Sequence, residues 1–191
     1  MQGHLTRQGS TLATLSGKND AQYRLDLAAI ADLDKEGETT VIFRDANGVV
    51  LAEMTFTLCE VDGQSALFIG GLQGAKAWVE HDQIQLATKA CHGLFPKRLL
   101  LEAVCLLAQH FGVSQILAVS NETHIYRSWR YAKKKRINCT PIMTASGNRS
   151  AVKRTPGGFT TCRCRSPVSR SKRSPVKNVR NIVAVMSSWI A

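Results

Sequence analysis

Between residues 39 and 72 three apolar runs follow one another with only three residues between each, and few folds accept that spacing. The runs are TTVIFRD (39–45), VVLAEMTFTLCEV (49–61) and SALFIGGL (65–72). Their β-branched and aromatic residues suit a pleated, half-buried surface. The connections are Ala46-Asn47-Gly48 and Asp62-Gly63-Gln64. Asn-Gly is the strongest short hairpin signal, because both residues tolerate φ > 0. The spacing therefore predicts an antiparallel meander of three strands.

The flanks extend this core. Tyr23, Leu25 and Leu27 alternate with polar residues, as in a short strand, and DLDKEGE (32–38) is a charged loop. Residues 1–20 show no apolar periodicity and read as a loose lead-in. Residues 73–91 contain a helix. A stronger one starts at Pro96, where the missing N–H costs nothing. In it Leu99, Ala103, Leu106 and Leu107 share one face, and Gly112 is placed to end it. SQILAVS (114–120) is a further strand. Meander, helix and strand together predict an α/β (α+β) domain: a mixed, mostly antiparallel sheet with a crossover helix.

The formal charge of +11 suggests a nucleic-acid partner until its distribution is read. Residues 1–122 hold nine Lys/Arg and all 14 Asp/Glu, whereas 123–191 hold 16 Lys/Arg and no acid. The domain itself is slightly acidic, so nucleic acid is not the expected partner, and binding through the basic tail stays an alternative. Cys59, Cys91 and Cys105 lie in apolar segments and read as buried, inert thiols. Cys139, Cys162 and Cys164 belong to the tail, and their spacing makes neither a zinc site nor a disulfide framework. No disulfide-linked partner and no metal are expected. No run is long and apolar enough to span a membrane, and the start has no apolar core of a secretory signal, so a cytoplasmic location is expected. From about residue 136 to 191 Ser, Arg, Pro, Thr and Gly dominate, the composition of a disordered or poorly ordered basic tail.

Three groups of residues could carry chemistry. Gly70, Gly71, Gln73 and Gly74 follow a strand and precede a helical region, where glycine admits close approach and free amides can cradle an anion. Thr88, Lys89, His92 and Lys97 form a second group. Thr88 and His92 are four apart, on one helix face, and His92 with the two lysines could hold an anionic group. Asn121, His124, Arg127 and Arg130 follow the last strand, where ligands of open α/β sheets gather. Each group also has a plain structural reading: a glycine-rich bulge, a capping histidine among solvated lysines, and an edge that covers the sheet.

LFIGGLQG (67–74), ATKACHGLFPKRLLLEAV (87–104) and ILAVSNETHIYRSWRYAKKK (116–135) occur in this order and with these gaps. On these motifs the chain resembles the VirK/YbjX family of bacterial proteins over roughly residues 20–135. The resemblance implies a role in envelope stress, antimicrobial-peptide tolerance or virulence, with no established reaction or partner. It also implies about a hundred further residues upstream, so the chain is expected to be truncated at its start. The domain boundaries expected are a lead-in at 1–20, a family domain fragment at 21–135 and a tail at 136–191.

The tail departs from the family's acidic and aromatic continuation, and the genetic code suggests why. In a frame shifted by one base, the codons of Ile142-Met143-Thr144 permit Asp-Tyr-Asp. Those of Ala145 to Asn148 permit Ser-Phe-Trp-Glu, and those of Cys162 to Arg165 permit Leu-Pro-Leu-Pro. These are the family's own continuation, and a slip is expected near Lys133-Lys134-Lys135-Arg136, whose codons can form a run of adenines.

The order of strands, glycine segment, helix and strand is also similar to the acetyltransferase-like (GNAT-like) core. There the turn after a central strand holds the pyrophosphate of acyl-CoA. By that analogy Gly70, Gly71, Gln73 and Gly74 would meet an acyl-CoA cofactor, with His92 or His124 as base. The usual R/Q-x-x-G-x-G/A spacing is missing, so this remains an analogy of fold.

Overall fold

The computed structural model describes residues 9–30 and 33–119, with short strands at 153–154 and 160–162. In chain order the elements are β1 (Ser10–Ser16), β2 (Gln22–Ala28), β3 (Thr39–Asp45), β4 (Val50–Val61), β5 (Gln64–Gly74), α1 (His81–Ala90), α2 (Pro96–His110), β6 (Gln115–Ala118), β7 (Lys153–Arg154) and β8 (Thr160–Cys162). One eight-stranded sheet runs in the order β1-β2-β3-β4-β5-β6-β8-β7. All neighbours are antiparallel except β5 and β6, which α1 and α2 connect in parallel. The mixed, mostly antiparallel architecture is thus observed.

The two hairpin turns exchange the roles expected of them. Asp62 and Gly63 are both left-handed, at φ 54° and 72°, and Val61 pairs directly with Gln64, so this is the tight two-residue hairpin. At the other turn Gly48 alone is left-handed, at φ 80°, and the Asp45 carboxylate caps the Asn47 and Val49 amides. The ladder of β3 and β4 shifts register there, between Phe43 and Arg44. An acidic residue placed to accept both amides has made the longer, bulged turn the better one.

The lead-in is the largest departure. Residues 10–16 form β1, which pairs with β2 through Leu15 and Tyr23 and through Ala13 and Leu25. Ala13 and Leu15 are buried, so the segment alternates after all, but two positions, one of them a small alanine, give little periodic signal. In the tail β8 lies antiparallel to β6, and β7 to β8, so these two stretches are strand rather than coil. The rest of the tail lies outside the described residues.

One face of the sheet carries the apolar core. Leu25, Val41, Phe43, Met54, Leu67 and Ile69 are fully buried in one cluster with Leu99, Leu100, Ala103 and Val104 of α2. Tyr23 stacks on Phe43 at 5.4 Å. Pro96 is the first helical residue, and Gly112 follows the helix with φ 64°. The cysteines divide: Cys91 is buried and free, Cys59 is exposed, and Cys105 is disulfide-bonded, so the reading of three buried, inert thiols holds for Cys91 alone.

Candidate functional site

The glycine segment is strand, not turn. Gly71, Leu72, Gln73 and Gly74 pair with Thr55, Met54, Glu53 and Ala52 of β4. Gly70 is the extra residue where the register shifts, between the Phe56–Ile69 and Thr55–Gly71 pairs. A bulge bends its strand and leaves one residue unpaired. The parallel pairing with β6 stops at the same place, since its last pair is Ile69–Ala118. Beyond Ile69, β5 is therefore laddered through β4 alone among the described residues.

Alternation then divides the four candidates between two faces. Gly70, Gly71 and Gln73 address the face away from the helices. A Cβ on Gly70 would strike the Glu36 carbonyl, and one on Gly71 would strike the Glu36 carboxylate. The Gln73 amide donates to both carboxylate oxygens of Glu36 at 3.3 Å. The absence of side chains here thus admits a loop of the same chain, and the expected anion cradle at Gly70 and Gly71 is occupied by the protein itself.

Gly74 faces the helices. A Cβ there would stand 3.0 Å from Lys97 Cε and 3.6 Å from its Nζ. Lys97 is the second residue of α2, whose first turn contains no acid and whose flanking residue Phe95 offers no capping side chain. A positive helix end, a lysine and a strand end without Cβ therefore meet at one place, an arrangement that favours an anion.

The other members of the second group lie at the end of α1. The Thr88 hydroxyl donates back to the Ile84 carbonyl at 2.7 Å. His92 donates its amide to Lys89, and Gly93 donates to Thr88, the paired bonds that close a helix C-terminus. In that motif the left-handed position belongs to glycine, yet here it is His92, at φ 57°. A non-glycine residue held there stores backbone strain of the kind found at functional sites. The described hydrogen bonds and ion pairs join the His92 side chain neither to Lys97 nor to β5. Asn121, His124, Arg127 and Arg130 lie outside the described residues.

A row of three polar residues, interrupted by Ile42, was not anticipated. Asp26, Ile42, Glu53 and Gln73 are successive cross-strand partners over β2, β3, β4 and β5, on the face that Glu36 covers. Asp26 is bonded by Arg44 Nε at 3.1 Å and by the Thr11 hydroxyl at 2.9 Å. Glu53 is paired with Lys76 Nζ at 3.0 Å, and the Thr40 and Thr55 hydroxyls meet at 3.1 Å. Carboxylates this buried require such partners. Their sequence signal was the glycine pair, read as open to a ligand when it was open to Glu36. Among the described residues no group of acids, histidines and cysteines is arranged to hold a metal.

What the fold defines is a mixed α/β domain with a mostly antiparallel sheet, and its sequence has a family match. The chain belongs to the DUF535 family, described as proteins of unknown function, whose model matches residues 1–140. It is similar to a protein of Escherichia coli (strain K12) described as the uncharacterized protein YbjX, with 58% identity over 132 residues. That match takes in 69% of this chain and 40% of the relative, so the chain spans well under half of the relative's length. No helix among the described residues is long and apolar enough to cross a membrane.

Proposed function

We propose that this domain is a GNAT-like acyltransferase domain that binds acyl-CoA where β5 leaves β6. The observation that carries the reading is the seat of Lys97 against Gly74 at the uncapped start of α2. Lys97 and the first amides of α2 would hold the pyrophosphate. The edge of β5 beyond Ile69 would offer backbone groups to the extended amide chain of the cofactor. When bound, the cofactor supplies an activated acyl thioester. The strained His92 is the candidate base, with His124 as the other. Calorimetric titration of the purified chain with acetyl-CoA tests this. Binding that Lys97→Ala weakens at least about tenfold supports the reading. No binding, or binding indifferent to Lys97, overturns it.

The setting we infer is the one the resemblance implies: envelope stress, antimicrobial-peptide tolerance or virulence, in the cytoplasm. A deletion strain with unchanged survival under cationic peptides would count against it. We further propose that the chain after about residue 136 is read out of frame. What supports this is the family match to residues 1–140 and the coding potential of the shifted frame. Resequencing the locus tests it, and a faithful in-frame tail would restore nucleic-acid binding as an alternative.

A further inference from the structure

The sheet has two outer strands, and they differ in kind. β7 is two residues long. So short an edge offers little for another chain to pair with. β1, at the other side, has seven residues, STLATLS, with no charged residue and no proline. Its bulge lies between Thr11 and Ala13, so only its first end is blunted. From Ala13 to Ser16 the ladder to β2 is regular, with Ala13–Leu25, Thr14–Arg24, Leu15–Tyr23 and Ser16–Gln22 as pairs. Among the described residues no hydrogen bond reaches the outer side of this stretch.

We propose that the outer edge of β1 is a strand-addition site for a second copy of this chain, joined antiparallel about a two-fold axis at Thr14. The sequence fits itself in that register. Ala13 stands opposite Leu15 of the second copy, and Leu15 opposite its Ala13. Both are buried on the helix side of the sheet, so the apolar core continues across the axis. Thr14 stands opposite its own copy on the far face, where it is exposed, and threonine pairs are favourable across strands. A two-fold axis makes such an interface self-complementary and closed. Charge does not oppose it, because β1 has none. The contact is one short strand, well below the area of a standard stable interface, so the association is reversible.

The test is sedimentation velocity of the 191-residue chain over micromolar concentrations. A monomer–dimer equilibrium is expected. Thr14→Lys places two ammonium groups face to face at the axis and beside Arg24, and weakens the dimer at least about tenfold. Thr14→Val keeps shape and strand preference and leaves the dimer intact. Should Thr14→Lys not fold, Ser16→Lys, at another exposed position, answers the same question. A wild-type chain that remains monomeric, or a dimer that neither lysine variant disturbs, overturns the proposal.

Discussion

At the scale of single residues the backbone carries more information than the charges do. His92 occupies the left-handed position after α1, where an L side chain costs about 1–2 kcal/mol. His92→Gly should therefore raise unfolding stability by about 1 kcal/mol in urea titration, after the greater entropy of glycine is subtracted. A loss of stability would show that the imidazole makes contacts that outweigh the strain. Gly70→Ala should act the other way. Its Cβ would strike the backbone carbonyl of Glu36, so that loop must lift, and a loss of about 1–3 kcal/mol is expected from overpacking. Cys91 adds a pH dependence, since burial pushes its thiol from 9.0 up to about 11. The folded chain holds this proton more tightly than the unfolded chain, so the contribution is complete below pH 9 and is lost as pH rises through 11. Burial, with Cys91 and Asp45 nearby, also raises Tyr23, which titrates with the same sign. The difference in urea midpoint between wild type and Cys91→Ala therefore isolates the thiol, and it should shrink from pH 9 to 11. A difference that stays constant over that range would contradict the assignment.

At the scale of elements, the strands with branched and aromatic residues were legible because burial and propensity agree there. The helix from Pro96 to His110 was legible because proline, the spacing of Leu99, Ala103 and Leu107, and Gly112 all mark it. β1 was not, because Ala13 and Leu15 give little periodic signal, and what makes the segment a strand is its pairing with β2. The polar row was not legible either. Asp26 and Glu53 are charged residues inside otherwise strand-like runs, and only the register shows that they line a covered face. That register carries a prediction. Arg44→Leu leaves the Asp26 carboxylate buried with the Thr11 hydroxyl alone, and should cost about 3–5 kcal/mol. Asp26→Leu with Arg44→Leu should recover most of this. A double variant no better than the single one would mean that the pair matters for packing rather than for charge.

In the whole molecule the proposed chemistry rests on the junction of β5 and α2. The sequence places the glycine segment after a strand, and alternation in β5 gives Gly70, Gly71 and Gln73 to the loop around Glu36 and leaves Gly74 to meet Lys97. No sequence pattern shows which face each member of a bulged strand will take, because one extra residue reverses the order. In the proposed complex the junction of β5 and α2 receives the anionic part of acyl-CoA. Hydrogen exchange of the 191-residue chain, with and without saturating CoA, reads this out. Slowed exchange is expected, confined to the amides of Gly70 to Gly74 and of the first turn of α2 from Lys97 onward. Unchanged exchange there, or protection that arises only in another part of the chain, would contradict it.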